Sequence, residues 1–231
     1  PADSATPSCQ GGSAVTMTDL EFGCNADTTV LESVDVEIAP GQRTVLVGPS
    51  GSGKSTLLSI MAGDLVPTGG SACVGGIALT SDHQDAIRRK SACVHQHTWL
   101  FHGTLAENLR VARPDATDDD MRRALERVDL GDWVASLPEG LDTHVGERGM
   151  SVSGGQAQRI SLARAILADR ELIILDEPTS QVDLESEQVI EKVIDELAEQ
   201  ATLIIATHRP ALTKGQVYHV NNQNLEQTRA S

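Results

Sequence analysis

Three short runs in this chain hold the residues best suited to chemistry. Gly48-Pro49-Ser50-Gly51-Ser52-Gly53-Lys54-Ser55 matches the pattern G-x-x-x-x-G-K-[ST] in full, and Thr56 follows it. Glycines at this spacing let backbone N–H groups curl around phosphate oxygens, and the start of the following helix adds the positive end of its dipole. Lys54 is spaced to reach β- and γ-phosphates, and Ser55 to set a hydroxyl on Mg²⁺. The second run, Leu172-Ile173-Ile174-Leu175-Asp176-Glu177, is an apolar stretch ending in two carboxylates. Asp176 would hold Mg²⁺ directly or through water, and Glu177 could polarise an attacking water as general base. Two acids at a strand end can equally be plain solvated residues, and the phosphate loop upstream decides for chemistry. The third run, Ser153-Gly154-Gly155-Gln156, opens a helical stretch and forms either a second anion site or an ordinary helix cap. A second phosphate-binding helix start is odd for a kinase or small GTPase. It makes sense if it serves the nucleotide of a neighbouring subunit.

The elements that must position these runs are legible from periodicity. Residues 15–47 alternate apolar and polar (Val15, Met17; Val34, Val36, Ile38) and read as strands broken by turns. Thr44–Val47 is a short buried strand entering the glycine-rich loop. After the loop, Leu57, Leu58, Met61 and Ala62 recur at helical spacing over 55–62, and Gly63 fits the stop. The region from about 82 to 170 is mostly helical in pattern, over 85–89, 105–111, 118–128 and 156–168. Buried strands return at 172–175 and 203–207, around an amphipathic helix over 185–199. Strands alternating with helices in the outer thirds predict a parallel α/β sheet with a helical insert. Asp115 and Asp118–Asp120 crowd a helix start, which suits the helix dipole better than a metal site.

Composition removes several function classes. The 231 residues carry 18 Lys and Arg against 33 Asp and Glu, a net charge of −15, the wrong sign for a nucleic-acid backbone or an anionic membrane surface. Two Trp, one Tyr and two Phe leave little for base or sugar stacking. No apolar run reaches membrane-spanning length, and the N-terminal residues lack a secretory pattern. Residues 1–14 are small and polar and read as a linker remnant, with the domain proper over 15–231. Cys9, Cys24, Cys73 and Cys93 form no C-x-x-C pair and read as thiols of a reducing compartment.

The run at 48–56, Val152–Gln156, Leu172–Ser180 and Ala206–Pro210, in that order, resemble the nucleotide-binding domain of ABC transporters, over nearly all of 15–225. The resemblance implies a P-loop NTPase (RecA-like) α/β core, an antiparallel β subdomain and a helical signature subdomain over about 82–160. It implies ATP and Mg²⁺ as cofactors, and hydrolysis of ATP to ADP and phosphate. Two such domains would associate head-to-tail, as a homodimer or heterodimer, each ATP lying between Gly48–Thr56 of one and Ser153–Gln156 of the other. By the same resemblance Gln96 touches Mg²⁺ with Ser55 and Asp176, Asp183 is the D-loop aspartate, and His208 contacts the γ-phosphate as a catalytic partner of Glu177. Leu100-Phe101 with Gly103–Leu109, and Thr143–Gly149 with Glu147 facing the coupling helices, are similar to the exporter subtype. Exporter domains follow a transmembrane domain, which is therefore expected upstream, with this domain at the cytoplasmic face of the cell membrane. The Ser153–Arg159 and Thr207–Leu212 runs are similar to CydD/CydC, the exporter of cysteine or glutathione-type thiols for cytochrome bd assembly.

This sequence departs from that pattern in places. Cys24 stands where the family has an adenine-stacking aromatic, and it offers no π-face. Val152 replaces Leu at the start of the signature, and the D-loop reads Ser180-Gln181-Val182-Asp183. Two other readings stay open: a degenerate, mainly ATP-binding regulatory half of a heterodimeric transporter, and a DNA-repair or SMC-type ATPase. Only 99 positions without a heptad run separate Lys54 from Ser153, which counts against the latter, as does the acidic charge.

Overall fold

The computed structural model describes residues 9, 14–25, 28–96, 98–146, 150–180, 182–209, 212–221 and 224–228. They divide into two compact units: Pro1–Cys93 with Glu171–Asp176 and Ala198–Ser231, and Val94–Arg170 with Glu177–Leu197.

The first unit holds two sheets. Strands β1 (Val15–Asn25), β2 (Thr28–Ile38), β4 (Gly69–Val74) and β5 (Ile77–Ala78) form an antiparallel sheet in the order β2-β1-β4-β5. The alternation read from the sequence is realised here: Val15, Met17, Val34, Val36 and Ile38 are all buried. The second sheet runs β12-β11-β3-β10-β9-β6. Its strands are β3 (Arg43–Val47), β6 (Ser91–Val94), β9 (Leu172–Asp176), β10 (Thr202–Ala206), β11 (Gln216–Asn221) and β12 (Asn224–Thr228). β3 pairs in parallel with both β10 and β11, β10 in parallel with β9, and β12 closes the edge antiparallel to β11. β9 and β10 are buried at every position, which is why they read as continuous apolar runs. Helix α1 (Lys54–Met61) follows β3 and buries Leu57, Leu58, Ile60 and Met61 in the same core as Leu46, Ile174 and Ile204. Its end at Met61 is followed by Gly63 at φ +83°, the left-handed stop its position in the sequence suggested. The short helix α2 (Gln84–Arg88) completes this unit's helices among the described residues.

The second unit is helical: α3 (Leu105–Arg110), α4 (Asp118–Arg127), α5 (Gly131–Ser136), α6 (Gly154–Ala168) and α7 (Leu184–Ala198), with a two-stranded ribbon of β7 (Gly103–Thr104) and β8 (His144–Val145). Three of its helices open on a capping box, in which an N-cap hydroxyl and the third helical residue satisfy each other's backbone N–H: Thr104 with Glu107, Thr117 with Asp120, and Ser153 with Gln156. The acid-rich start of α4 is accordingly a helix cap. Asp120 also faces Arg113 and Arg123, and the Arg123 hydrogen bond leads the effects that hold its carboxyl below the ordinary range.

The cysteines depart from the sequence reading. Cys9 and Cys73 are joined in a disulfide, 64 positions apart, so two of the residues read as thiols of a reducing compartment form a covalent staple between Cys9 and β4. Spacing alone could not pair them, because connectivity is a property of the folded sheet. A closed loop of that length restricts the unfolded chain by about 4 kcal/mol in the chain-entropy model. Cys73→Ser should therefore lower the urea midpoint, and a reductant should bring the parent chain down to the variant's value. Equal midpoints with and without reductant would show that the staple contributes nothing.

Candidate functional site

The register of the parallel sheet puts Leu46, Ala206 and Asp176 in one row, with Leu46 and Asp176 on either side of Ala206. The carboxyl ends of β3, β10 and β9 therefore open along one edge, the edge at which sheets of this kind bind ligands. From it leave Gly48–Thr56, the loop bearing His208, and Asp176. Thr207 anchors the His208 loop from below: its N–H donates to the Leu46 carbonyl (3.0 Å), and its hydroxyl accepts from the Arg209 N–H (3.0 Å). In the sequence Thr207 stands only as a member of the Ala206–Pro210 and Thr207–Leu212 runs, with no role of its own. It is fully buried, and His208 after it is exposed.

The glycine-rich loop closes on its own lysine. Lys54 is 8% exposed, and its ammonium donates to the carbonyls of Gly48 (2.8 Å) and Pro49 (2.9 Å). Gly53, the N-cap of α1, sits at φ +102°, a left-handed conformation that glycine adopts without strain. Gly48 is required for a different reason, close approach: a Cβ there would lie 2.2 Å from the Val220 carbonyl oxygen in β11. Ser52 is buried and Ser50, Gly51 and Ser55 are exposed, so the loop offers backbone and hydroxyl groups outward from a buried cation.

Asp176 is 8% exposed, and its Oδ1 is buried with no hydrogen-bond partner among the described residues. A buried carboxylate oxygen left over in this way calls for a cation or a water. Among the described residues no group of three or more His, Cys, Asp and Glu could form a metal cage. One carboxylate, hydroxyls and the oxygens of a bound phosphate are the donor set that suits Mg²⁺, which keeps much of its own water, so the residues present fit that ion. Next to this strand the Cys93 thiol is pushed up to about 12, by burial first and then by the charges of Asp64 and Asp176, so it stays protonated and unreactive at neutral pH.

Glu177, the next residue, is 9% exposed and has φ +48°. The other non-glycine residues with positive φ among those described are Asp19, Ser33, Asp129 and Asp169; Asp tolerates such turns readily, whereas Glu rarely adopts them. The strain marks Glu177 as a held side chain.

In the second unit Ser153 lies at the head of α6. Its hydroxyl accepts from the Gln156 N–H (3.1 Å), and the Gln156 side-chain oxygen accepts from the Ser153 N–H (3.0 Å). Gly154 and Gly155 occupy the first turn, whose remaining N–H groups have no partner within the helix. A Cβ on Gly155 would meet the Ser186 hydroxyl at 2.5 Å and the Asp183 carboxylate at 3.4 Å, so α6 and the start of α7 touch through a residue that must be glycine. Asp183 caps α7: Oδ1 accepts from the Ser186 N–H (2.8 Å) and Oδ2 from its hydroxyl (3.2 Å), and these bonds hold its carboxyl below the ordinary range. Sequence reasoning singled out Asp183 and missed Ser186, its partner. Gln96 is exposed. The backbone of Cys24 lies in β1, while its side chain, and Glu147 and Gln181, lie outside the described residues.

The family model described as ABC transporter matches residues 31–180. The chain belongs to the ABC transporter family. It is an ATP-binding domain of that family, with relatives of exporter type. It is 38% identical over 196 residues to the Beta-(1-->2)glucan export ATP-binding/permease protein NdvA of Rhizobium etli, a match covering 85% of this chain and 33% of that protein. It is 40% identical over 197 residues to the ATP-dependent lipid A-core flippase of Neisseria meningitidis serogroup B, covering 85% and 32%. Among solved structures, a bacterial Atm1-family ABC exporter with ATP bound matches at a TM-score of 0.86 and 30% identity, covering 94% of this chain and 38% of that one. The ABC domain thus spans about a third of the length of these two curated relatives, and its α/β fold is that of the P-loop NTPases.

The close approach at Gly48 gives a direct test of the loop. Gly48→Ala should destabilise the domain by about 1–3 kcal/mol, the usual range for overpacking a tight site, and weaken nucleotide binding with it. A melt and a nucleotide titration indistinguishable from the parent would show that the loop does not depend on β11.

Proposed function

We propose that this ABC domain is the ATP-hydrolysing motor of a membrane exporter. The observation that carries the reading is the shared carboxyl edge, where a loop already folded around the Lys54 ammonium leaves β3, and a buried Asp176 oxygen, unpartnered among the described residues, ends β9, the two parallel strands that flank β10.

In this reading Lys54 exchanges the Gly48 and Pro49 carbonyls for the β- and γ-phosphates of ATP, and the amides of Gly48–Thr56 hold the remaining phosphate oxygens. Ser55, Asp176 and Gln96 would hold Mg²⁺, which would supply charge neutralisation on the phosphates. Glu177 takes a proton from the attacking water, and His208 stabilises charge on the γ-phosphate. In-line transfer of a phosphoryl group asks little covalent chemistry of the protein, so positioning and electrostatics do most of the work. Ser153, Gly154, Gly155 and Gln156 offer a second anion-binding helix start, which acts on the ATP of a partner domain in a head-to-tail pair, with Asp183 beside it. The partners are a second nucleotide-binding domain, identical or not, and an exporter's transmembrane domain, with this domain at the cytoplasmic membrane face. The names of the relatives, a glucan export protein and a lipid A-core flippase, support export as the class of work. Export of cysteine- or glutathione-type thiols rests on the Ser153–Arg159 and Thr207–Leu212 runs alone.

A second reading, a mainly ATP-binding half of a heterodimer, is favoured by Cys24 standing in place of a stacking aromatic. One substitution separates the two. Glu177→Gln should leave MgATP affinity within about threefold and lower turnover at least about 100-fold, the scale of a lost general base. Turnover already negligible in the parent would support the regulatory half, and unchanged hydrolysis in the variant would remove Glu177 from its role.

A further inference from the structure

We infer that Arg164 is a positioning residue that bolts the segment of the exposed Trp99 and half-buried Phe101 to helix α6, so that the aromatic segment and Ser153 at the helix start move as one piece. This rests on the reading of Ser153 as a nucleotide contact, and adds to it a route by which that contact is steadied.

Arg164 projects from α6, and its guanidinium meets three acceptors on one segment. Nε donates to the Asn108 carbonyl (2.8 Å), one terminal nitrogen to the Trp99 carbonyl (3.1 Å) and the other to the Asn108 side-chain oxygen (2.7 Å). Asn108 is fully buried and passes the connection on: its amide donates to the carbonyls of Phe101 (3.1 Å) and Thr104 (3.0 Å). Six positions before Arg164, Gln158 accepts from the Thr98 hydroxyl (2.6 Å). The stretch from Thr98 to Thr104, irregular up to β7, therefore has carbonyls satisfied by two side chains instead of water. On this bolted stretch Trp99 stands 69% exposed, its ring centroid 6.1 Å from that of Phe101.

The planar fork of arginine is what the arrangement demands. A lysine ammonium is a single point of donation and cannot span the Trp99 and Asn108 carbonyls together. Burial pushes the guanidinium below its ordinary value, yet it stays charged, and the three acceptors offset the lost water.

The test uses the chain with Trp133→Phe, so that Trp99 is its only tryptophan, with and without Arg164→Lys. Without nucleotide, amide exchange over 98–104 should quicken at least tenfold in Arg164→Lys. With MgATP, kcat should fall at least tenfold while KM stays within about twofold, and the change in Trp99 emission on adding MgATP should disappear. If Arg164→Lys does not fold, Thr98→Val, a smaller cut in the same weld, should lower kcat by at least threefold with KM unchanged. Parent-like kcat in the folded variant, or a lowered kcat with the Trp99 response intact, overturns the inference. A parent chain that hydrolyses no ATP overturns the functional reading on which it stands.

Discussion

A buried ammonium must be surrounded by oxygens, and Lys54 finds them in its own loop. Everything around that lysine follows from the requirement. The carbonyls of Gly48 and Pro49 turn inward onto it, so the loop must reverse direction within a few residues, which Gly53 permits through its positive φ. Turning inward also presses Gly48 against the Val220 carbonyl, so the loop's shape depends on β11 lying beside β3. A charge held this way is expensive to leave and ready to transfer, because phosphate oxygens can replace the carbonyls without exposing the ammonium to an apolar surface. The parallel sheet serves this loop by aligning the end of β3 with those of β10 and β9, one carrying the His208 loop and the other ending in Asp176.

The helical unit solves a related problem in the opposite sense. Here the helix start at Ser153 must be built without bulk. The capping box consumes two backbone N–H groups and fixes the side chains of Ser153 and Gln156. Gly155 lets α7 come close enough for Asp183 and Ser186 to stand beside it. Asp183 is thus a helix cap first. Any role toward a nucleotide is played by a carboxylate already holding two hydrogen bonds, which favours its charged form and fixes its orientation.

Elements with strong local signals were legible in the sequence. The loop at 48–55, the fully buried β9 and β10, and the helices with a Thr or Ser cap all lie within a residue or two of where the pattern put them. α6 starts two positions earlier than its periodicity suggests, because Gly154 and Gly155 are poor helix formers held by the Ser153–Gln156 box. What escaped was non-local. β11 is short and of mixed polarity and pairs in parallel with β3, and the short, polar β12 pairs in turn with β11, so neither stands out without the sheet beside it. α5 opens on a glycine, and the two-residue β7 and β8 are too short to show a period. The Cys9–Cys73 bond, the Gly155 contact with Ser186, and the Arg164–Asn108 link all join residues far apart in the chain. The roles of Gly48–Thr56, Asp176 and Glu177 could be read because each sits in a short run, while Thr207 and Ser186 act through backbone contacts that composition does not reveal.

Hydrogen exchange of the Glu177→Gln chain with and without MgATP tests the central claim most directly. The account predicts slowed amides in two separate stretches, Gly48–Thr56 and Ser153–Gln156, appearing together and only when nucleotide is present. Protection confined to Gly48–Thr56 at saturating MgATP and high protein concentration would contradict the second anion site. Protection in neither stretch would contradict the reading of the carboxyl edge itself.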